Sequence, residues 1–275
     1  MKNIFAVNTN TYHGFTVDQA LEGIAAAGFK NIEIATVRSW TEHIMPEYEE
    51  AEIARIAKKA ADLGLHFVGM SGHCNLMDAE RLEDFKKNMA LAHRLGAKAI
   101  VSSTGEAHFG KDEKFADDVL IENITTLLPL LEEYDMTLCL ETHGEYGTGE
   151  SLYRIAQGVG SHRVGVCYDT ANVVFYGGVR PEEEIKACAY CVKFVHLKDK
   201  IGYDNVWNFP AVGSGELKLL DVIEYLNSRN FYGPFSMEVE YTGDFATKEK
   251  TEEDLVYVNA QVKSAYEYLA SKGLV

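Results

Sequence analysis

Short apolar runs alternate with amphipathic segments along the whole chain. The first run, IFAVNTN, favours a strand and ends near Asn8. Thr16 is a plausible N-cap for the helix that follows, and Gly28 ends that helix. Three further pairs of a strand-like run and a helical pattern come next, namely NIEIA with 51–63, HFVGMSG with 79–95 and KAIVSST with 114–134. Four more pairs complete the chain, namely TLCLETH with 151–158, VGVCYDT with 181–189, VKFVHLKD with 217–228 and PFSMEVE with 252–272.

This alternation predicts eight strands and eight helices in turn. Strands that alternate with helices favour parallel pairing through right-handed crossovers. Eight such units in 275 residues match the size of a (β/α)8 TIM barrel, whose active site lies at the carboxyl ends of the strands. An open doubly wound sheet is the alternative, but the first turn reads NTNTYHGF and lacks a GxGxxG motif. We therefore predict an α/β fold with a single TIM barrel domain spanning residues 1–275.

Composition narrows the class of protein. The chain is 47% hydrophobic and 25% charged, which are ordinary values for a soluble globule with a sizeable core. A net charge of −16 argues against nucleic acid, since its phosphates would be repelled. No basic and apolar leader and no run of about 18 apolar residues occurs, so we expect a cytoplasmic protein without a membrane partner. The 5 cysteines lie mostly in apolar segments and fit reduced thiols there.

Four of the predicted strands each end in a side chain that can bind a metal. These side chains are Glu141, Asp169, His196 and Glu238. The carboxyl ends of parallel barrel strands meet at one mouth, where three carboxylates would repel one another without a dication. Two glutamates, an aspartate and a histidine suit Mn²⁺, Mg²⁺, Co²⁺ or Zn²⁺. A metal held in this way can polarise a carbonyl while carboxylate oxygens move protons, which is the chemistry of enolising a sugar.

Alternation along the strands adds two candidates. Residues two positions apart on a strand point to the same side. Glu141 therefore shares a face with His143, which could bind a hydroxyl or serve as an auxiliary base. His196 shares a face with Lys198, which could hold a substrate oxygen.

Three further features are placed near the mouth. Glu33 ends the second predicted strand and could orient a neighbour or a substrate hydroxyl. Trp207 could stack on a sugar face. The segment 213–215, with the sequence GSG, could cradle a phosphate through backbone N–H groups, although a simple turn is the plainer interpretation, and Asp199 could cap the loop before it.

The motifs ETHG, YDTAN, VHLKD and SMEVE, in this order, resemble the xylose-isomerase-like TIM barrel superfamily of sugar-phosphate isomerases and epimerases. The resemblance runs from AAAGFKNIEIA in the second unit to GPFSMEVE in the eighth. It implies that Glu141, Asp169, His196 and Glu238 bind one divalent ion, with Mn²⁺ as the first choice and Glu240 as a weaker candidate for the last ligand. It also implies that the two glutamates are the acid/base pair of an isomerase or epimerase that works through a metal-stabilised enediolate. A small sugar or sugar phosphate is the implied substrate, and a homo-oligomer is suggested.

The apurinic endonucleases of the same superfamily bind three zinc ions through extra histidines. His73 in MSGHCNL resembles one of those ligands, but Asn172 in YDTAN stands where a DxxH motif has histidine. The net charge of −16 also opposes DNA binding. His73 and Asn172 are therefore expected to contact the substrate, together with Glu33, Lys198 and Trp207.

One departure from the superfamily leaves the reaction open. Well-studied ketohexose epimerases carry a second glutamate six residues after the first ligand, and this chain has Gly147 there, with Glu145 out of register. A lyase or dehydratase acting on a keto sugar or keto-inositol would use the same enolate chemistry, with His143 as acid or base. A sugar-binding barrel that has lost catalysis is a third class, but a binder needs no paired glutamates.

Overall fold

Eight parallel strands close into a barrel in the computed structural model of the chain, which describes residues 2–105, 116–203, 205–241 and 244–275. The barrel strands are β1 (Phe5–Asn8), β2 (Asn31–Val37), β4 (His66–Ser71), β5 (Ala99–Ser102), β6 (Thr137–Glu141), β7 (Val164–Asp169), β8 (Val192–Leu197) and β9 (Phe235–Met237), and β3 (Thr41–Glu42) is a short strand antiparallel to β2. Successive barrel strands pair in parallel, and β1 pairs with both β2 and β9, which closes the ring. The predicted TIM barrel is confirmed, and the open sheet is excluded.

Helices lie between the strands. They are a 3-10 turn (Thr9–Tyr12), α1 (Val17–Ala27), α2 (Glu50–Asp62), α3 (Ala79–Arg94), α4 (Asp117–Glu133), α5 (Gly149–Val159), α6 (Asn172–Phe175), α7 (Pro181–Cys188), α8 (Leu219–Ser228), α9 (Asp244–Thr247) and α10 (Glu252–Ser271). The ends of α1 follow the signals in its sequence, because Thr16 and Gln19 form a reciprocal capping box and Gly28 adopts a left-handed φ of 113°. Within the described part of the chain, no helix has both the length and the apolar character that crossing a membrane requires.

The predicted strict alternation of eight helices is too simple. The described residues add the 3-10 turn, α6 and α9 after β1, β7 and β9. The turn of α6 forms because Asp169 accepts hydrogen bonds from the backbone N–H groups two and three residues later. Helix α5 begins at Gly149, earlier than predicted, because Thr148 is its N-cap. The predicted helix start at Lys114 lies outside the described residues, in which α4 begins at Asp117.

A small apolar cluster fills the barrel interior. Its members are Ala99, Val101, Cys139, Cys167 and Phe194. Cys139 lies two residues before Glu141 on β6, so strand alternation turns both side chains into the barrel. The same spacing joins Cys167 to Asp169 on β7. The polar ends of these strands therefore lie directly above a packed floor, while the larger apolar core lies between the strands and the surrounding helices.

Candidate metal centre

The four predicted metal ligands meet at the mouth of the barrel. Glu141 and Asp169 are the last residues of β6 and β7, His196 is the last but one of β8, and Glu238 follows β9 directly. One ligand atom of each residue lies within 4.8 Å of one ligand atom of every other, and all four residues are buried. Parallel register explains the convergence, since Asp169 pairs with His196 across neighbouring strands. The structure therefore brings the whole set together.

His196 is held from both sides by carboxylates. Its Nδ1 lies 2.6 Å from Oε1 of Glu141, and its Nε2 lies 3.1 Å from both carboxylate oxygens of Glu33. Burial opposes protonation of the ring, but Cys167, Glu33 and Glu141 together raise the pKa of His196 well above its ordinary value. Burial would raise the pKa of Glu141, but His196 outweighs it and lowers that pKa. Glu33 is not at the end of its strand as predicted, because β2 continues to Val37, and its carboxylate lies against the ring of His196.

Asp169 directs one oxygen into the cluster. The backbone N–H groups of Ala171 and Asn172 both donate to its Oδ1 at 2.8 Å. Its Oδ2 is buried and has no hydrogen-bond partner among the described residues, and the Nζ of Lys198 lies 3.6 Å away. Burial raises the pKa of Asp169 to about 6, although Lys198 acts in the opposite direction. The start of α6 thus leaves an unsatisfied carboxylate oxygen facing the other ligands.

Lys198 supplies a positive charge inside this acidic cluster. Its side chain is 1% exposed, and its Nζ donates to Oε2 of Glu238 at 3.1 Å and to Oε1 of Glu240 at 2.7 Å. Burial would lower the pKa of Lys198, but Glu238, Glu240 and Asp169 raise it well above its ordinary value. Burial also raises the pKa of Glu240 to about 7. Because Glu238 belongs to the four-residue group and Glu240 does not, the geometry favours Glu238 as the fourth ligand.

Asn10 orients Glu238. No sequence signal distinguishes Asn10 from Asn8, the other asparagine of the segment NTN. The Nδ2 of Asn10 donates to Oε1 of Glu238 at 2.9 Å. Its Oδ1 accepts from Nε1 of Trp40 at 3.1 Å and from the hydroxyl of Thr41 at 2.6 Å. Two donors on one amide oxygen determine which way the amide faces, so its NH₂ group must point to the carboxylate. Asn10 is therefore a positioning residue that only the three-dimensional structure reveals.

His143 lies at the same mouth as Glu141, as strand alternation predicts. Its Nε2 lies 3.2 Å from the hydroxyl of Tyr176, and the two rings are 4.6 Å apart. Burial lowers the pKa of His143 to about 4, although Glu141 opposes this change. Tyr176 also packs over Gly147, where an added Cβ would lie 2.7 Å from the Cβ of Tyr176. The chain therefore has no room at position 147 for the second glutamate of the ketohexose epimerases.

The remaining predicted substrate contacts lie at two depths. His73 is close to the ligands, because its Nδ1 accepts from the backbone N–H of Ser103 at 2.8 Å and its Nε2 lies 3.9 Å from Oε2 of Glu141. His73 and Asn172 both line the small cleft above the ligands, which has a volume of about 20 Å³. Trp207 lies further out, is 41% exposed and lines a neighbouring cavity. The structure thus brings His73 and Asn172 to the ligands and leaves Trp207 at a distance from them.

The glycine turn after β8 is already occupied by a carboxylate of the chain itself. The backbone N–H groups of Gly213 and Gly215 both donate to Oδ2 of Asp199 at 2.9 Å. Asp199 is 1% exposed, so its carboxylate is an integral part of this loop. A phosphate would have to displace that carboxylate to use the same N–H groups, which supports the simple turn and the predicted capping role of Asp199.

The donor set fits a single divalent ion. Three carboxylates and one imidazole nitrogen are the ligand types that Mn²⁺, Mg²⁺, Co²⁺ and Zn²⁺ accept. The buried Oδ2 of Asp169 is available as a ligand, because it accepts no hydrogen bond within the described residues and its cationic neighbours Lys198 and His196 lie 3.6 and 3.9 Å away. Two of the other ligands are already oriented by residues outside the set, His196 by Glu33 and Glu238 by Asn10, which is how metal sites in proteins are built.

Comparison with known proteins gives one family. The model of the family described as the xylose isomerase-like TIM barrel matches residues 21–261. No curated protein matches the chain significantly.

Solved structures share the same fold at low sequence identity. A D-psicose 3-epimerase determined in the presence of D-fructose has a TM-score of 0.75 and 17% identity, with 98% of each chain covered. An L-ribulose 3-epimerase has a TM-score of 0.75 and 16% identity, with 100% of this chain and 95% of the other covered. A xylose isomerase domain protein from Planctomyces limnophilus has a TM-score of 0.76 and 18% identity, with 98% and 97% covered. These likenesses establish a common barrel along nearly the whole chain.

Proposed function

The chain belongs to the xylose isomerase-like TIM barrel family, and we propose that it is a divalent-metal-dependent isomerase or epimerase of a keto sugar or sugar phosphate. The observation that carries the proposal is the convergence of Glu141, Asp169, His196 and Glu238, with two glutamates in one buried set. The shared fold with a D-psicose and an L-ribulose 3-epimerase supports a sugar as the substrate.

The four ligands would hold one divalent ion, for which Mn²⁺ is our first choice and Mg²⁺, Co²⁺ and Zn²⁺ are alternatives. When bound, the ion would polarise a sugar carbonyl and stabilise the negative charge that develops on its oxygen. Glu33 supports the site because it accepts the Nε2–H of His196, which leaves Nδ1 directed at the other ligands.

Glu141 and Glu238 would move the proton. One carboxylate removes the proton from the carbon next to the carbonyl, and the other returns a proton, which inverts that centre or moves the carbonyl. Glu238 is oriented before the substrate arrives by the amide of Asn10 at 2.9 Å, and Glu141 lies beside His196 and 3.9 Å from Nε2 of His73. Lys198 and His73 border the same carboxylates and would bind substrate oxygens.

The glycine turn supports an unphosphorylated substrate. Among the described residues, Asp199 occupies the backbone N–H groups of Gly213 and Gly215, which are the donors that the segment 213–215 could offer to a phosphate. A free keto sugar needs no such donors. We therefore place free keto sugars ahead of their phosphates.

A lyase or dehydratase is the second candidate, and one observation favours it. The imidazole of His143 and the hydroxyl of Tyr176 form a hydrogen-bonded pair at 3.2 Å beside Glu141. Such a pair could protonate a leaving hydroxyl or a larger leaving group after proton removal. Tyr176 of this pair also contacts Gly147, where it leaves no room for the second glutamate that ketohexose epimerases carry.

Deuterium wash-in tests the proposal. Keto sugars and their phosphates are incubated in D₂O with the protein, with added Mn²⁺ or with a chelator, and the products are analysed by NMR and mass spectrometry. We expect Mn²⁺-dependent deuterium incorporation at the carbon next to the carbonyl without loss of water. Release of water or of a leaving group would select the lyase, and no exchange with any sugar would reject both reactions.

Matched glutamine variants test the two proton-transfer roles. Glu141→Gln and Glu238→Gln should each reduce exchange by at least about a hundredfold, the usual contribution of a general acid or base. Glu145→Gln is the control, because Glu145 is an exposed glutamate on the same loop as Glu141. Full turnover in both site variants would show that neither glutamate transfers the proton.

A further inference from the structure

An apolar cavity opens beside the metal centre. It has a volume of about 280 Å³, and its walls include His13, Trp40, Trp207, Val239, Tyr241 and Phe245. Asn10 and Glu240 line both this cavity and the cleft above the ligands, which measures only about 20 Å³. Because the cleft is so small and shares two lining residues with the larger cavity, a substrate whose carbonyl reached the ligands would find room for its remaining atoms there.

The rings that line the cavity are themselves held by other rings. His13 stacks on Trp40, with centroids 4.1 Å apart and 14° between the ring planes. Trp207 meets Phe209 edge-on, with centroids 5.1 Å apart. Trp40 follows β2 and Trp207 follows β8, so the two indoles approach from opposite sides of β1 and β9. Aromatic side chains braced in this way form a preformed wall that accepts a flat apolar group.

Several polar groups around the cavity are already bonded within the chain. The Nζ of Lys250 donates to the backbone carbonyls of Phe245 and Ala246. Both ends of the Asn10 amide are engaged, and Nδ1 of His13 is hydrogen-bonded to Thr41 at 2.8 Å. Two lining groups, Oε2 of Glu240 and the hydroxyl of Tyr241, are buried without a hydrogen-bond partner in the described part of the chain and could take up one or two polar substituents. The other hydroxyls of a polyhydroxyl chain would give up water for few new hydrogen bonds, whereas an apolar ring has none to lose. The cavity therefore favours a ring over a polyhydroxyl chain.

We propose that this cavity binds an apolar ring carried by the substrate, so that the preferred substrate is a sugar with an aryl or similar cyclic substituent. The proposal rests on the proposed function, because it extends the same site outward through Asn10 and Glu240. The sugar carbonyl would face the ligands, and the ring would lie between Trp40 and Trp207. A cavity of about 280 Å³ is large enough for a substituted six-membered ring.

Binding of two simple glycosides tests the cavity directly. Phenyl β-D-glucopyranoside and methyl β-D-glucopyranoside, whose ring hydroxyls stand in for the keto and hydroxyl oxygens of a substrate, are titrated into the Mg²⁺-supplemented protein by isothermal titration calorimetry. We expect the phenyl glycoside to bind at least about tenfold more tightly, since only its ring buries apolar surface in the cavity. Trp207→Ala should bring its affinity down to that of the methyl glycoside. Tyr203→Ala, which removes an exposed aromatic ring from the same loop, should keep the preference.

Three results would overturn the proposal: no binding of the phenyl glycoside, equal binding of both glycosides, or a phenyl preference that survives in both Trp207→Ala and Trp40→Ala. Trp207 is 41% exposed, so its replacement leaves the core intact, and circular dichroism checks the fold of each variant. Failure of this proposal and failure of the proposed function are distinguishable. Deuterium exchange with free keto sugars needs no aryl group, and glycoside binding needs no turnover.

Discussion

The buried side chain of His43 makes the stability of the barrel depend on pH, and the surroundings of that side chain decide whether acid stabilises or destabilises the fold. The side chain is 5% exposed, and its Nε2 lies 3.1 Å from the carbonyl oxygen of Phe15. Its Nδ1 is buried and has no hydrogen-bond partner among the described residues. Burial lowers the pKa of His43 from 6.5 to about 4, although the backbone groups of Phe15 and Tyr12 favour the protonated ring.

The size of the effect follows from these two pKa values. The unfolded chain binds a proton at His43 below pH 6.5, whereas the folded chain does so only near pH 4, so acid favours unfolding. The contribution of His43 to stability is therefore fully present above pH 6.5 and is lost as the pH falls towards 4. Linkage gives a loss of about 2 kcal/mol between pH 7.5 and pH 5, and of about 3 kcal/mol near pH 4.

Urea unfolding of the native protein and of His43→Gln at pH 7.5, 6 and 5 measures this term. Glutamine keeps an N–H donor for the Phe15 carbonyl and does not titrate, so the difference in unfolding free energy between the two proteins should change by about 2 kcal/mol from pH 7.5 to pH 5. Other titrating groups cancel in that difference. His66→Gln, at an exposed histidine, is the control and should leave the pH dependence unchanged. Parallel curves for the native protein and His43→Gln would refute the assignment of a neutral buried ring.

Three further predictions concern the site and the core. Glu33→Gln should weaken Mn²⁺ binding about 10- to 100-fold, because the substitution disturbs the carboxylate that faces His196. Titration calorimetry would measure the Mn²⁺ affinity, and an unchanged affinity would mean that Glu33 does not orient the ring. Asn10→Ala should lower kcat for proton exchange about tenfold or more while KM changes little, since the substitution removes a hydrogen bond to the charged carboxylate of Glu238. A change in KM alone would instead indicate that Asn10 acts in substrate binding. Leu127→Ala, at a fully buried position in α4, should lower the free energy of unfolding in urea by about 2–5 kcal/mol. A smaller loss would show that the neighbouring helices move into the space left by the leucine side chain.

The strand ends explain why so much of the site could be predicted. In β6, β7 and β8 an apolar run stops at a charged or imidazole side chain, and parallel pairing brings every such end to one mouth. Glu141, Asp169 and His196 are therefore located by the fold alone. The choice between Glu238 and Glu240 could not be made in the same way, because both share a face and both contact Lys198. A domain spanning residues 1–275, a cytoplasmic location and a homo-oligomer remain predictions.

Contacts between distant loops could not be predicted. Asn10 reaches Glu238 across 228 positions of sequence, and its amide is oriented by Trp40 and Thr41 from a different loop. The segment NTNTY offers several equivalent polar side chains, and only the path of the 3-10 turn decides which one faces the ligands. The apolar cavity is likewise formed by loops that follow different strands, so no single stretch of sequence reveals it.

The charged side chains at the strand ends mark the site in the sequence, and the same side chains make the protein costly to fold. Charged side chains at the ends of buried strands are unfavourable unless each is paired, and here the carboxylates around Lys198 and His196 outnumber the two cations. Asp169 shows the imbalance most clearly, since burial raises its pKa to about 6 and its Oδ2 has no hydrogen-bond partner in the described part of the chain. A structural role would be met equally well by apolar residues, which would pack on the floor of Cys139 and Cys167 without this cost. The unfavourable charge therefore argues for a binding function more strongly than any single side chain does.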